Sequence, residues 1–538
     1  MRVPTTCLLV SFLLLARAEA QTTVLHEWPG AGVGDEFGWA MDGAGDVDGD
    51  GVPDLIVGAD RDDDNGGDSG RVSVFSGATG ALLHAWNGSA ANAFLGHRVA
   101  GVGDVDQDGF DDVLFSEHSP FTSNPGRAFL RSGQTGAVIH QWSGGGSDDF
   151  GDALAGLGDI DGDSVPDVAV AARTEFGAAY QGGVVRLFSG ATGAVVRTYQ
   201  GTTFNEQMGG WIAGGKDLSG DGVPDLTIST LGQDRVDVFS GATGAALYSL
   251  TKPGGFGSHV DFSDDVDGDG RAELFVGDFS SPGVASLFSG VDGQQLWKRQ
   301  GTNSLDAYGW GVAALGDTNG DGVPDFAVGA YGVDHLGSAS GVAQVLSGTD
   351  GATLVEYHGN QPGALFGFSV AGPGDVDGDG LGDVAVAAMQ PFHFASDPGY
   401  VRLHSGACAG GANEYGSGLG GSGGCVPHHA AEGCPGITAS FRLELDQALG
   451  GAAGQLFLGL APTSVPLVGG TFLVAPPWVV LPLAVPGAGA GAGALAIQTV
   501  IPDDPTLQGL QIHAQVGLVD PGGPEGYALT NGLAFSIR

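Results

Sequence analysis

Short runs of apolar residues recur at regular intervals between residues 22 and 405, separated by segments rich in Gly and Asp. Runs such as LIVGA (55–59), VAVAA (168–172) and FAVGA (326–330) are apolar at every position rather than at every second one. Continuous apolarity in so short a run predicts a strand that is buried on both faces. We therefore predict an all-β fold for this region.

Each apolar run belongs to a longer unit with a fixed order of elements. Each unit opens with an aromatic-Gly pair and a short apolar stretch, and an acidic loop follows. After the loop come the apolar run, a variable loop, a strand ending in Ser-Gly, a tight turn and a last strand such as ALLHAW. The turn residues mark the strand ends, so each unit predicts four strands. The aromatic-Gly pairs are Phe37-Gly38, Phe150-Gly151, Phe256-Gly257, Tyr308-Gly309 and Phe366-Gly367.

The acidic loop has the form Asp-x-Asp-x-Asp-Gly-x-x-Asp, with conservative replacements, and it occurs seven times. Oxygen donors on alternate residues converge on one point when an intervening Gly lets the backbone turn sharply, and short loops of this kind wrap calcium. The alternative interpretation is a set of polar turns, because Asp and Gly are favoured in turns. Carboxylates packed closely without a cation would repel one another, which favours the calcium interpretation.

The spacing of the loops predicts the architecture. Successive loops begin 58, 55, 58, 48, 52 and 58 residues apart, a period of about 50 that suits a repeat of four strands. The last unit reaches its third strand at residues 400–404 and has no fourth, whereas VLHEW (24–28) matches the fourth strands but precedes the first unit. We predict a seven-bladed β-propeller with calcium loops, closed by the N-terminal strand, which hides exposed strand edges.

The order FG, GDxDGDGxxDLxVGA and a Gly-initiated strand resembles the FG-GAP repeat of the integrin alpha N-terminal propeller and of its bacterial relatives. The resemblance covers residues 22–405. It implies calcium in the loops between the first and second strands of each blade, with up to seven sites, and extracellular binding as the usual role. It does not imply integrin function, because no RGD-type sequence or leg domain is visible. We expect a secreted protein of bacterial origin.

Carried over residue by residue, the resemblance implies four side-chain ligands in each loop, with the Val52 carbonyl completing the first set. Ser164 replaces a turn Gly and is expected to strain the third loop. Ser219 and Asn319 each remove one charge, so weaker binding is expected, and the longer Glu273 either binds with both oxygens or misses the ion. The implied ligands are Asp46, Asp48, Asp50 and Asp54; Asp104, Asp106, Asp108 and Asp112; Asp159, Asp161, Asp163 and Asp167; Asp217, Ser219, Asp221 and Asp225; Asp265, Asp267, Asp269 and Glu273; Asp317, Asn319, Asp321 and Asp325; and Asp375, Asp377, Asp379 and Asp383.

The N-terminus and the charge predict export. Residues 1–20 carry a basic residue, the apolar run CLLVSFLLLA and the sequence Ala-Glu-Ala, which is typical of a signal peptide. With 62 acidic against 19 basic residues, the formal charge is −43, which argues against nucleic acid and anionic membranes as partners. We expect a secreted protein, extracellular or at the cell surface.

The composition changes after residue 405. We predict a propeller at residues 21–405, a Gly-rich linker at 406–435 and a small β-sandwich-like, β-rich domain at 436–538. The apolar segment 471–487 is too short and too rich in Pro for a membrane-spanning helix. The cysteines after residue 20 allow a disulfide between Cys425 and Cys434 or between Cys408 and Cys434; a zinc site that uses His428 and His429 lacks the usual Cys spacing.

Two classes of function fit the sequence. The first is a non-catalytic adhesion or binding protein that recognises an extracellular protein or a carbohydrate through the face formed by the variable loops. The second is an extracellular, lyase-like enzyme that acts on polysaccharides, which would need a His or Lys base beside neutralising cations. A structural surface-coat component is a third interpretation. We predict no catalytic residues and no organic cofactor, and the variable-loop residues singled out are His118, Phe121, Tyr180, Tyr331, His335, Phe392, His393 and Phe394.

Overall fold

The computed structural model describes a first unit, Val24–Gly406, and a second unit after Gly406. The described residues are 24–118, 125–146, 148–279, 281–390 and 398–406 in the first unit, and 413–415, 428–432, 440–450, 452–460, 462–467, 470–474, 479–485, 489–500, 511–520, 527–530 and 532–536 in the second. The predicted signal peptide, Phe121, Phe392, His393, Phe394 and the three later cysteines lie outside these residues.

Seven sheets of four antiparallel strands form the first unit, and each sheet is one propeller blade. Blades 1 to 4 are β2 (Ala40–Gly45), β3 (Asp54–Ala59), β4 (Arg71–Phe75) and β5 (Leu82–Asn87); β6 (Leu95–Gly103), β7 (Asp112–Glu117), β8 (Arg127–Arg131) and β9 (Val138–Ser143); β10 (Phe150–Gly158), β11 (Asp167–Ala172), β12 (Val184–Phe188) and β13 (Val195–Gln200); and β14 (Met208–Lys216), β15 (Asp225–Thr230), β16 (Arg235–Phe239) and β17 (Ala246–Thr251).

Blades 5 and 6 are consecutive in the chain, whereas blade 7 combines both ends of the unit. They are β18 (Phe256–Phe262), β19 (Leu274–Asp278), β20 (Val284–Phe288) and β21 (Gln295–Gln300); β22 (Val312–Gly316), β23 (Asp325–Ala330), β24 (Val342–Leu346) and β25 (Thr353–His358); and β26 (Phe366–Gly374), β27 (Asp383–Ala388) and β28 (Tyr400–His404) with β1 (Val24–Pro29). A 3-10 turn, η1 (Leu231–Gln233), is the one helical element of the described residues. The prediction of seven four-stranded blades is confirmed.

The second strand of every blade is buried along its whole length, as the continuous apolar runs predict. In β3, β11 and β23 every residue is buried, the flanking Asp included. Side chains from the two faces of one strand pack against the neighbouring blades on either side. Leu55 and Val57 of β3, for example, pack with Ala385 and Ala387 of β27. The core is therefore a set of layers between blades rather than one central mass.

Strand β1 pairs antiparallel with β28, so blade 7 has the strand order β1-β28-β27-β26. The register places Trp28 opposite Val401 and Glu27 opposite Arg402. Trp28 is buried in the cluster that joins blades 7 and 1, and its indole Nε1 donates to the carbonyl of Gly80 in blade 1 at 2.8 Å. Residues from the two ends of the unit thus share one sheet.

The Gly of the first aromatic-Gly pair lies where two blades approach closely. Gly38 has φ +87°, and a Cβ at this position would lie 2.5 Å from the Cβ of Ala387. Only Gly combines this backbone conformation with so close a contact. Blades 2 and 4 keep the Gly but have Leu95 and Met208 in place of the aromatic residue, which the sequence pattern did not predict. Both side chains are buried, because the position requires an apolar residue rather than a ring.

The described residues of the second unit form three sheets. The largest has the strand order β29 (Asn413–Tyr415), β39 (Gly532–Ser536), β37 (Gln511–Val519), β32 (Ala453–Gly459) and β35 (Val479–Ala484), with β38 (Tyr527–Leu529) paired to β37. The others are β30 (His428–Glu432), β31 (Ser440–Gly450) and β36 (Gly489–Val500), and the pair β33 (Pro462–Leu467) and β34 (Gly470–Val474).

Two of these strands fall within the segment that the sequence predicts as a linker. Strand β29 pairs with β39 near the end of the chain, and β30 pairs with β31. Both are short tracts without Gly inside a Gly-rich stretch, and their partners are known only once the fold is known. In the part of the chain that the structure describes, no helix is long and apolar enough to cross a membrane.

Candidate metal centre and binding face

The first acidic loop shows how the predicted ligands are positioned. Asp46 accepts hydrogen bonds from the backbone amides of Gly49 at 2.7 Å and Gly51 at 2.9 Å. Asp48 and Asp50 each accept one from the residue two positions later. Gly49 and Gly51 both have positive φ, which folds the loop back on itself. The carboxylates of Asp46, Asp48 and Asp50 consequently have oxygens within 4.8 Å of one another.

The ninth residue of the loop also contacts the Ser-Gly turn of the same blade. One oxygen of Asp54 accepts from the amide of Val47 in its own loop at 2.8 Å, and the other from the amide of Gly77 in the Ser-Gly turn at 2.9 Å. The carboxylate therefore joins the two loops at this end of the blade. Six blades repeat the bond to the Ser-Gly turn, over 2.7–3.0 Å: Asp54–Gly77, Asp112–Gly133, Asp167–Gly190, Asp225–Gly241, Asp325–Gly348 and Asp383–Gly406.

These ninth-position carboxyls have raised pKa values, and burial is the main cause because it disfavours the charged form. The pKa of Asp54 rises to about 6 and that of Asp383 to about 7, although both accept backbone hydrogen bonds that act in the opposite direction. The charges of Asp48 and Asp50 raise the pKa of Asp54 further. A bound cation would offset both the cost of burying the charged carboxylate and its repulsion by Asp48 and Asp50.

Glu273 differs from the other ninth-position residues. Its Oε2 accepts from the Val266 amide at 2.6 Å, whereas Oε1 is buried and has no hydrogen-bond partner among the described residues. Burial raises the pKa of Glu273 to about 8. Its carboxylate nevertheless lies with those of Asp265, Asp267 and Asp269, all within 4.8 Å. In this loop the structure brings all four predicted side-chain ligands together.

The other altered loops keep the same backbone. Ser164 has φ +69°, the left-handed conformation in which a side chain is strained, and Asp159, Asp161 and Asp167 still converge within 4.8 Å. Asn319 is fully buried and donates from Nδ2 to Asp325 at 2.9 Å. The second loop is similar to the first, with Asp104, Asp106 and Asp108 grouped.

Adjacent loops are tied together. The amide of Asp46 donates to the side chain of Asp111 at 2.8 Å, and the amide of Asp111 donates to the carbonyl of Asp46 at 2.9 Å. Between blades 6 and 7, the amide of Gly382 donates to the carbonyl of Asp317 at 2.8 Å. The acidic loops of these neighbouring blades therefore lie side by side on one face of the propeller.

A cavity of about 520 Å³ lies along the propeller axis. Its aromatic lining was missed by the sequence analysis. Trp39 contacts Phe368 at a ring distance of 5.2 Å, Phe368 contacts Trp310 at 5.6 Å, and His259 contacts Trp211 at 4.0 Å. The sequence did contain a signal for the lining, because the residue directly after the Gly of the aromatic-Gly position faces the cavity in several repeats. These residues are Trp39, His97, Asp152, Trp310 and Phe368.

The variable-loop face carries an exposed aromatic group. Phe176 packs edge-on against Tyr180 at 4.8 Å, and Tyr180 stacks on Phe204 at 5.4 Å. Phe176 is 67% exposed and Phe204 is 75% exposed. Of these, the sequence singled out only Tyr180. We call Phe176, Tyr180 and Phe204 the aromatic patch.

The remaining described variable-loop residues named from the sequence differ in accessibility. His118 is buried. His335 stacks on His358 at 3.7 Å, and Tyr331 contacts Trp310 at 5.5 Å beside the axial cavity. His118 and Tyr331 therefore belong to internal contacts, whereas His335 is exposed; the aromatic patch, with its three neighbouring rings, is the more extensive contact surface.

Seven four-stranded blades, each with an acidic loop between its first and second strands, define the first unit as a seven-bladed β-propeller. The FG-GAP repeat family matches residues 37–75, and the FG-GAP-like repeat family matches residues 265–328. The chain therefore contains FG-GAP repeats, and its first unit is an integrin alpha-like β-propeller.

Integrin alpha chains are among the similar proteins. The chain is 28% identical to integrin alpha-5 of Xenopus laevis over 38% of its length and 21% of the relative's, and 34% identical to integrin alpha-4 of Xenopus laevis over 29% and 16%. It thus spans about a fifth or less of these relatives. The crystal structure of BBS1N in complex with ARL6DN, soaked with mercury, aligns at 9% identity with a TM-score of 0.46, over 72% of this chain and 97% of that one.

Proposed function

We propose that this is a secreted, calcium-binding, non-catalytic adhesion or binding protein, in which calcium in the seven acidic loops rigidifies the blades and the variable-loop face contacts a protein or a carbohydrate. The observation that carries the calcium part is the convergence of Asp265, Asp267, Asp269 and Glu273 within 4.8 Å. Four carboxyls so close together need a cation or protons to offset their repulsion.

The aromatic patch supports the binding part of the proposal. Large aromatic side chains with more than half of their surface exposed are costly to keep in water unless a partner covers them. Stacked rings also suit the apolar faces of sugar rings. The matched relatives are integrin alpha chains, which supports the proposal of a binding role for this chain.

The lyase-like alternative is less well supported. Lys216 is engaged with Asp264 at 2.5 Å and Lys252 with Gln295 at 2.6 Å. Among the described residues, no lysine lines the axial cavity, but His97 and His259 do. Burial lowers the pKa of His259 to about 3, which makes it a weak base, and His97 contacts Asp60 at 3.2 Å. An assay for cleavage of uronate-containing polysaccharides decides between the two classes, because cleavage that the purified protein alone catalyses would replace the non-catalytic proposal.

Calcium titration by calorimetry, on the protein without residues 1–20, tests the metal part. We expect several ions to bind, and a large rise in melting temperature between chelator and calcium. Asp48→Ala and Asp377→Ala should each reduce that rise. If a site is filled at 100 times its Kd, losing it removes about 2.7 kcal/mol of stabilisation. Asp54 is unsuitable for this test, because its removal also breaks two backbone hydrogen bonds.

Screens against glycans and extracellular proteins test the binding part. Tyr180→Ala and Phe204→Ala should weaken the interaction that the screen finds, whereas Val195→Ala is the matched control, because Val195 is also exposed but opens the fourth strand of its blade. Unchanged calcium-dependent melting in all three variants would separate lost contact from lost folding. An interaction that survives both patch substitutions would place the contact surface elsewhere.

A further inference from the structure

A second, chemically different cluster lies where blades 2 and 3 meet. His97 is in β6, His118 directly follows β7, and Asp152 is in β10. One ring nitrogen of each His and one oxygen of Asp152 lie within 4.8 Å of one another. Nε2 of His97 is 3.7 Å, and Nε2 of His118 is 3.8 Å, from Asp152 Oδ1.

These separations are too long for hydrogen bonds and right for a shared ion. A hydrogen bond between nitrogen and oxygen needs a separation of about 3.2 Å or less. Two donor atoms that each bind one ion at about 2.1 Å with tetrahedral angles lie roughly 3.4 Å apart. The observed 3.7 and 3.8 Å are close to this separation. The rings of His97 and His118 stack at 4.4 Å with an interplanar angle of 26°, so binding a shared ion requires both rings to turn towards it.

The surroundings orient His97 and Asp152 as ligands. Nδ1 of His97 lies 3.2 Å from Asp60 Oδ2, and since a carboxylate accepts, Nδ1 carries the hydrogen and the lone pair of Nε2 faces Asp152. Nε of Arg173 lies 2.7 Å from Asp152 Oδ2, which leaves Oδ1 for an ion. Partners of this kind on the far side of a ligand are typical of metal centres.

His118 provides an independent observation. The residue is 4% exposed, and neither ring nitrogen has a hydrogen-bond partner among the described residues. Burying a polar nitrogen without a partner costs free energy. Its Nε2 faces Asp149 Oδ1 at 3.6 Å as well as Asp152, so a cation in this space would satisfy a nitrogen that the protein leaves unsatisfied.

We propose that His97, His118 and Asp152 bind a first-row transition-metal dication of the zinc class, at a site separate from the acidic loops. Two imidazoles and one carboxylate suit zinc, cobalt, nickel or iron, whereas calcium prefers oxygen ligands alone. Asp60 orients His97 from blade 1, so the ion would connect three blades. His97 and Asp152 also line the axial cavity, and the ion would therefore border it.

Cobalt titration of the metal-stripped protein, with calcium in large excess, tests the proposal. We expect one Co²⁺ per chain with visible absorption that Zn²⁺ abolishes. His97→Gln and His118→Gln should weaken Co²⁺ binding at least about 10-fold, and Asp60→Asn by about 10-fold. His140→Gln is the matched control, because His140 lies on β9 of blade 2 and its Nε2 bonds to the Gly190 carbonyl at 2.7 Å; Co²⁺ binding should be unchanged.

Several results would overturn the proposal. One is a wild-type protein that binds Co²⁺ no more tightly than the His97→Gln/His118→Gln double variant. Another is wild-type Co²⁺ affinity in both folded single variants, which would place the ion elsewhere. If the variants do not fold, X-ray absorption of the Co²⁺-loaded wild type decides the matter: two imidazole ligands support the site, and a shell of oxygens alone excludes it.

Discussion

Arg402 donates from Nε to Glu27 Oε2 over 2.6 Å, although the two residues are 375 positions apart in the chain. They face each other because β1 and β28 pair in one sheet. This contact on the surface marks the place where blade 7 is completed, and the neighbour of Glu27, Trp28, is buried beside it.

Trp28→Ala should lower the free energy of unfolding by about 3–5 kcal/mol, since a buried indole and its hydrogen bond to Gly80 are lost. Urea unfolding in calcium measures this. Glu27→Ala is the control, because Glu27 is half exposed and such ion pairs contribute about 1 kcal/mol or less. Equal effects of the two substitutions would mean that the junction depends on charge rather than on packing.

Gly309→Ala should destabilise the propeller more than Gly316→Ala. Both Gly residues have positive φ, near +80° and +75°, but a Cβ at 309 would lie 2.5 Å from the Val284 carbonyl oxygen, whereas a Cβ at 316 would meet nothing within 4 Å. Gly316→Ala therefore costs only the backbone term of about 1–2 kcal/mol, and Gly309→Ala adds about 1–3 kcal/mol of overpacking. Thermal melting of the two variants measures the difference, and identical melting temperatures would contradict close blade contact at the aromatic-Gly pair.

Without calcium, the melting temperature should fall as the pH rises from about 5 to 8. The pKa of Asp383 is raised to about 7 and that of Glu273 to about 8, mainly by burial. The folded protein thus binds more protons than the unfolded chain between the ordinary and the raised pKa values, and stability is lost as the pH rises through this window. Calcium replaces those protons, so the calcium-induced rise in melting temperature should be larger at pH 8 than at pH 5.

Asp383→Asn is the matched variant for this pH dependence. An amide does not titrate, so the decline in chelator should be shallower than in the wild type. The side-chain oxygen of Asn keeps the hydrogen bond from Gly406, whereas the one from Val376 is lost, which lowers the melting temperature at every pH. A calcium-induced rise of the same size at pH 5 and pH 8 would mean that protons and calcium do not compete for these carboxyls.

Ser219→Asp should convert the fourth loop into a tighter calcium site. Ser219 Oγ lies 3.4 Å from Asp217 Oδ1, so a carboxylate there joins the acidic group. We expect about 10-fold tighter binding at this loop, because affinity rises with ligand charge, and a lower melting temperature in chelator, because the added charge is then uncompensated. Ala242→Asp, in the exposed neighbouring turn, adds the same charge outside the loop and should leave the calcium affinity nearly unchanged.

The sequence predicted the blades because their information is local. Each repeat contains its own acidic loop, buried run and Ser-Gly turn, as the repeat around Leu55 shows, and the next repeat has them again. The aromatic-Gly rule failed at Leu95 and Met208, where packing selects for an apolar side chain of any kind. Local patterns were sufficient for the strands and not for every residue in them.

The axial cavity and the His97 cluster could not be predicted in the same way. His97 and Asp152 are in different blades, and they meet only because equivalent positions of successive blades converge on one axis. The residue type at the cavity-lining position also follows no apolar pattern: three successive repeats have Trp39, His97 and Asp152 at the equivalent place. The joint role of Asp54 in two loops likewise depends on the bond to Gly77, 23 residues away.

The pairing of β1 with β28 also governs when the propeller can be completed. During synthesis β1 is the first strand to emerge and its partner is the last of the propeller, so its edge must wait until more than 370 residues have followed. Pairings between such distant segments form slowly. The seventh blade, and with it the ring, therefore cannot be completed before β28 has been synthesised.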